Sequence, residues 1–258
     1  MSNGAVTAVI TGASRGIGFA IARRLGQNGV RVLLNGRNVG ALDDARLQLA
    51  NESIEAEVCA ADVSVESDVK SLQQAALAKF DHVDILVNNA GASLSSPFIK
   101  TDLVAWNQMI ASHLTSTYLC MQAFLPGMID RCFGRIVNIA SIAGKIGFQY
   151  TSAYCAAKHG VLGLTKAVAL EVARKGVTVN AVCPGWVNTP MTEESIRNIA
   201  EKTGMPGTKA KSFLEEQSPL HRLIAPEEVA AAVAFLISTE ASGVNGQAIN
   251  VCGGQISS

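Results

Sequence analysis

Thr11-Gly12-Ala13-Ser14-Arg15-Gly16-Ile17-Gly18 begins at the end of an apolar run, Ala5–Thr11, and opens a segment of helical period, Ile17–Gln27. A glycine cluster between a strand and a helix has a physical meaning. The chain must turn sharply there, and the missing side chains let backbone N–H groups approach an anion. The partial positive charge at the helix N-terminus adds to that attraction. The TGxxxGxG spacing departs from the common GxGxxG pattern but meets the same demand, so the turn points to the pyrophosphate of a dinucleotide. Its candidate contacts are Gly12, Ser14, Arg15, Gly16, Ile17 and Gly18.

Outward from this turn, short apolar runs alternate with helical segments. The expected strands are Ala5–Thr11, Val30–Asn35, Glu55–Ala60, Ile85–Asn88, Arg135–Ala140, Thr178–Cys183 and Ala248–Val251. The expected helices are Ile17–Gln27, Ala41–Asn51, Glu66–Lys79, Trp106–Ile129, Ser152–Ala173 and Pro226–Ser238. Strand–helix repetition with unbroken apolar strands predicts an α/β fold: one doubly wound Rossmann-type domain over residues 1–258, with a parallel seven-stranded sheet and helices on both faces. Residues 191–222 read as an irregular segment following a strand's carboxyl end, where ligands of such sheets bind. They are expected to form a substrate lid.

Composition narrows the function. The 258 residues are 48% hydrophobic and include 23 glycines, which suits a large aliphatic core. Lys plus Arg equals Asp plus Glu at 21 each, which argues against a nucleic-acid or anionic-membrane partner. None of the six cysteines forms a CxxC pair and the four histidines are scattered, so neither a metal site nor a disulfide framework is expected. With no charged-then-apolar leader and no bilayer-length apolar run, a cytoplasmic location is expected.

The second strand ends Leu33-Leu34-Asn35-Gly36-Arg37. An NAD site usually places a carboxylate there to hold the ribose hydroxyls. Arg37 in its place, with Arg15 in the glycine turn, suits the 2′-phosphate of NADP(H), which is favoured; NAD(H) remains possible.

Tyr154 and Lys158 stand four residues apart in a helix and so share a face. A phenol of ordinary pKa, roughly 10, is a poor base at neutral pH, and a neighbouring ammonium, helped by a positively charged nicotinamide, is expected to lower it. Tyr154 would then exchange a proton with a carbonyl or alcohol oxygen, while Ser141, at the end of strand Arg135–Ala140, would polarise that oxygen.

With these residues in hand, the chain closely resembles the short-chain dehydrogenase/reductase family, especially the bacterial 3-oxoacyl reductases and polyketide ketoreductases. The motifs that carry the resemblance are TGASRGIG at 11–18, Asp62-Val63, Asn88-Asn89-Ala90-Gly91, Ser141, YCAAK at 154–158 and Pro184-Gly185. The resemblance implies that Asp62 and Val63 contact the adenine, and that Asn88 and Ala90 border the adenosine ribose and brace the sheet. It implies that Lys158 also binds the nicotinamide ribose, that Tyr154 is the proton donor, and that Val187 and Thr189 meet the nicotinamide carboxamide. A homotetramer is implied as well. One position departs from the pattern: His113 stands where active members commonly carry an asparagine that completes a proton relay. Held at that position, an imidazole is expected to serve the relay and to titrate near neutrality, giving an acidic limb to turnover.

The expected function is NADPH-dependent reduction of a ketone or 3-oxoacyl group. The alternatives are an NAD-dependent secondary alcohol or diol dehydrogenase and a non-catalytic nucleotide-binding regulator. Lys202, Lys209 and Lys211 in the lid are candidates to meet the phosphates of an acyl carrier.

Overall fold

The computed structural model describes residues 5–257; the outermost positions of the expected 1–258 domain, 1–4 and 258, lie outside the described residues. Seven strands form one parallel sheet: β1 (Thr7–Ile10), β2 (Arg31–Gly36), β3 (Ala56–Ala60), β4 (Ile85–Asn88), β5 (Gly134–Ile139), β6 (Val177–Pro184) and β7 (Ala248–Val251). Their order is β3-β2-β1-β4-β5-β6-β7. The strand order reverses between β1 and β4, which opens a crevice at the carboxyl ends of these neighbours.

The helices are α1 (Gly16–Gln27), α2 (Val39–Ala50), α3 (Glu66–Phe80), α4 (Leu103–Ile110), α5 (Ser116–Asp130), α6 (Ser152–Val172), α7 (Pro190–Thr203), α8 (Gly207–Glu215) and α9 (Pro226–Ile237). The strands divide their side chains between two helical layers. Ala8 and Ile10 pack with Ile21 and Leu25 of α1 and Val233 and Leu236 of α9, whereas Val9 packs with Leu72 of α3 and Phe124 of α5. Val32 and Leu34 against Leu33, and Ile85 and Val87 against Leu86, repeat the division. Alternate residues of a strand face opposite sides, so covering both faces requires every position to be apolar.

Two expectations are corrected. The helix expected over Trp106–Ile129 starts at Leu103, where the Asp102 side chain accepts from Ala105 N at 2.8 Å, and it is broken by a π-helical turn at Ala111–Thr115. Side chains bond back to carbonyls of this turn: Ser116 Oγ donates to Ser112 O at 2.8 Å and Thr117 Oγ1 to His113 O at 2.7 Å. The segment 191–222, expected to be irregular, is mostly the pair α7 and α8. Thr189 caps α7, Pro190 occupies its first turn, Gly204 ends it at φ +73°, and Pro206 precedes α8. These are helix start and stop signals that polar composition masked.

Candidate active site

The glycine turn is held by β4. Thr11 Oγ1 accepts from Asn89 N and Ala90 N, both at 3.0 Å, and Asn89 Nδ2 donates to Thr11 O at 2.9 Å and Gly12 O at 3.0 Å. The turn is too tight for side chains. A Cβ on Gly12, which has φ +63°, would come 2.9 Å from Ala90 Cα, and one on Gly18 would come 2.4 Å from Gly12 O. Arg15, the N-cap residue of α1, makes no side-chain cap hydrogen bond, so no side chain competes for the helix's leading N–H groups. Ser14 lies against Gly36 at the end of β2, and Thr189 packs on Gly16, so β2 and α7 converge on the same turn. The cradle fits a dinucleotide pyrophosphate: bare backbone donors at a helix N-terminus with no carboxylate among them.

Arg37 is exposed beyond β2 and stands 3.9 Å from Asp62. Asp62 is fixed by Ser64, whose N and Oγ donate to Oδ1 at 3.0 and 2.7 Å. Burial raises the Asp62 pKa, but the Ser64 bonds and the Arg37 charge outweigh it and leave it below the usual carboxylate value. Val63 is buried beside it, and Val187 is buried through its bridge to Ile224. Asn88 braces the sheet: Nδ2 donates to Asn138 Oδ1 at 2.8 Å, and Asn138 passes the chain on to Thr165 Oγ1 at 2.9 Å.

On the same edge, Ser141 follows β5 and its Oγ accepts from Ala143 N at 3.1 Å. Tyr154 lies on this edge close to Ser141, and burial pushes its phenol pKa up to about 12 against the lowering effect of the Ser141 hydroxyl. Lys158, one turn along α6, is buried, and its Nζ donates to Ile139 O at 2.7 Å and lies 5.7 Å from the Tyr154 ring centroid. Burial lowers the lysine to about 8. The expected lowering of the phenol by its lysine is therefore corrected: among the protein's own groups, desolvation of the phenolate dominates, and Tyr154 rests as an acid.

His113 comes from the π-helical turn and joins this set. It is buried, with Nε2 2.7 Å from Ala92 O and 3.2 Å from Ala92 N. The shorter contact is satisfied only if Nε2 carries the proton and donates to the carbonyl, which leaves Nδ1 as a bare acceptor. Nδ1 has no partner among the described residues. Burial drives the imidazole pKa down to about 3, assisted by the Lys158 charge and opposed by the Ala92 bond. The expected titration near neutrality is thereby overturned, since a cationic ring here would be desolvated and beside an ammonium.

Of the lysines in segment 191–222, Lys202 reaches across to Ser95 O at 3.0 Å, Lys211 pairs with Glu215 within α8 at 3.7 Å, and Lys209 is exposed. Reasoning from sequence gave no role to Asn89, which clips the turn, or to Asn138, which links β4 to α6. A polar residue within the apolar run Arg135–Ala140 was the available signal for Asn138. Asn180 serves structure, bonding Val244 O and Gln247 N at 2.8 and 3.0 Å, and His159 is exposed and bonds Cys155 O.

The family model described as enoyl-(acyl carrier protein) reductase matches residues 12–255. The chain is 38% identical to a 3-oxoacyl-[acyl-carrier-protein] reductase of Synechocystis sp., over 98% of this chain and 97% of that protein. It is also 38% identical to a D-beta-hydroxybutyrate dehydrogenase of Cupriavidus necator, over 97% of each. Among solved structures, a variant of actinorhodin polyketide ketoreductase with NADPH superposes with a TM-score of 0.95 at 39% identity, over 97% of both chains.

Proposed function

The chain belongs to the short-chain dehydrogenase/reductase family of NAD(P)-dependent oxidoreductases acting on CH–OH groups, and from that premise we propose that it uses NADPH to reduce a ketone or 3-oxoacyl group, with Tyr154 as the proton donor. The observation that carries this reading is the gathering of Ser141, Tyr154 and Lys158 at the carboxyl edge of the sheet, with Lys158 Nζ 5.7 Å from the Tyr154 ring centroid and burial raising the phenol's pKa. An acid of raised pKa is suited to giving its proton to a carbonyl oxygen as negative charge develops there. NADPH, when bound, supplies the hydride for the carbonyl carbon.

The chain's own residues do the rest. Gly12, Ser14, Gly16, Ile17 and Gly18 receive the pyrophosphate on bare backbone, and Arg15 and Arg37 receive the 2′-phosphate. The existing Arg37–Asp62 contact is exposed and long, so little is lost when Arg37 turns to a phosphate. Asp62 and Val63 border the adenine, Asn88 and Ala90 the adenosine ribose, and Val187 and Thr189 the carboxamide. Lys158 holds the nicotinamide ribose and Ser141 orients the substrate oxygen. His113 Nδ1 offers a fixed acceptor beside Tyr154 and Lys158 for a water or a ligand hydroxyl. Helices α7 and α8 form the lid, and four copies assemble as a homotetramer.

A second reading, oxidation of a secondary alcohol with NAD, is favoured by the D-beta-hydroxybutyrate dehydrogenase relative. Consumption of NADPH or NADH, followed over a panel of ketones and 3-oxoacyl thioesters, with the reverse reaction on 3-hydroxy acids, decides between them. No turnover in any arm would leave the non-catalytic alternative standing.

A further inference from the structure

The chain leaves β6 at Pro184, runs through α7 and α8, and comes back beside its own exit at Ile224, which bridges Val187. Backbone joins the two ends: Ile224 N donates to Trp186 O and Asn188 N to Ile224 O, both at 2.8 Å. This pairing fixes where the ends meet. It does not fix how the helices between them lean over the edge that carries Ser141 and Tyr154, because paired ends can still act as a hinge.

A side-chain junction supplies that constraint. Trp186 Nε1 donates to Gln217 Oε1 at 3.0 Å, just past the end of α8. An indole N–H is a donor only, so it dictates which way the Gln217 amide faces. Gln255 Nε2, from the turn after β7, lies 3.5 Å from the same oxygen. Ser218 is buried, and its Oγ is 3.4 Å from both Cys252 O and Gly253 O. A Cβ on Gly253, which has φ +64°, would collide with that hydroxyl, so glycine is what allows the approach. The junction seats the end of α8 on the exits of β6 and β7 together. Toward the other end of the pair, Lys202 of α7 donates to Ser95 O at 3.0 Å. Ser96 N in turn donates to Tyr150 O at 2.8 Å, shortly before Tyr154. The helix pair thus spans from the β6 exit to the loop beside the candidate site.

We propose that Gln217 is a positioning residue: by accepting the Trp186 indole N–H it sets the lean of α7 and α8 over the Ser141–Tyr154 edge, and so the room that a carbonyl substrate meets there. The effect on substrate rests on the reductase reading above; the effect on the helices does not.

The test compares Gln217→Leu, which keeps the bulk of the side chain and removes the acceptor, with Gln217→Glu, which keeps the acceptor. In Gln217→Leu the backbone amides of α7 and α8 should exchange with deuterium about fivefold faster, the effect of one net hydrogen bond, while those of β5 and β6 keep their wild-type rates. The KM for the carbonyl substrate should rise by about the same factor, with kcat and the NADPH Kd within about twofold of wild type. Gln217→Glu should behave as wild type, and Trp186→Phe should reproduce the exchange of Gln217→Leu. Wild-type exchange in Gln217→Leu, protection lost evenly over the chain, a KM that does not move, or a Gln217→Glu protein that matches Gln217→Leu each overturns the proposal. A wild type that turns over no carbonyl defeats the reductase reading instead, and exchange in the three variants then decides the role of Gln217 alone.

Discussion

His113 meets Tyr154 edge to face, with ring centroids 5.1 Å apart and planes at 88°. Such a pair contributes about 0.5–1.5 kcal/mol beyond the area it buries. Its greater effect is on position, because His113 is itself clamped to Ala92. The Tyr154 ring, the proposed proton donor, is thereby braced before any ligand arrives, and pre-set geometry of this kind lowers barriers.

Tyr154→Phe keeps the ring and its contact with His113 but removes the transferable proton. Turnover should fall by about 10²–10⁴-fold, with little change in Tm or in cofactor affinity. Single-turnover NADPH consumption reads the chemical step directly. A variant retaining more than about a tenth of wild-type rate would remove Tyr154 from that role.

Cofactor choice should rest on Arg37 and Arg15. Wild type is expected to favour NADPH over NADH by at least about tenfold in kcat/KM, equivalent to about 1.4 kcal/mol. Arg37→Asp should erase or reverse the preference. Equal use of both cofactors by wild type would contradict the assignment.

His113 should leave its mark on acid stability and not on turnover near neutrality. Its folded pKa, about 3, lies below its ordinary value of 6.5. The neutral ring's stability is therefore fully present above pH 6.5 and is lost as pH falls toward 3, by up to about 5 kcal/mol. His113→Asn should flatten this part of the Tm-against-pH curve. Its pH–rate profile between about pH 5 and 8 should overlay that of wild type, and a shifted limb there would show that the ring does titrate in place.

Gly91 is the other side of the His113 site. A Cβ at Gly91 would come 2.3 Å from His113 Cε1. Gly91→Ala should destabilise by about 1–3 kcal/mol and lower turnover by displacing the ring from Tyr154. Gly91→Ala with His113→Ala should recover part of the lost stability, a non-additivity that a double-mutant cycle measures. Strictly additive losses would mean that the two residues do not meet.

The sheet was legible because each of its strands is an apolar run followed by a turn signal, and β4 and β7 match their expected limits residue for residue. Tyr154 and Lys158 were legible as one helix face from their i, i+4 spacing, and Ser141 from its place at the end of the strand Arg135–Ala140, on the edge that carries the glycine turn. The helices α7 and α8 were not, because a largely exposed surface pair has few apolar residues to set a period. Only Thr189-Pro190 and Gly204 marked the ends of α7. The ionisation of His113 and Tyr154 was misjudged for one shared reason. Reference pKa values are properties of residue types, whereas desolvation depends on what the fold stacks around each group.

The π-helical turn at Ala111–Thr115 gives this site a sensitivity of a different kind. A π turn amounts to one extra residue in an otherwise regular helix, and each residue of an α-helix advances the face by about 100°. Removing one residue from that stretch would restore regular hydrogen bonding with α4 and α5 close to their present register, while redirecting the side chains of the turn itself. The helix would survive as a helix, yet His113 could no longer face Tyr154 while α4 and α5 kept their present seats. Part of the candidate site's arrangement is thus encoded as a count of residues and not as their identity. Single-residue deletions here should silence the protein where many point substitutions would be tolerated.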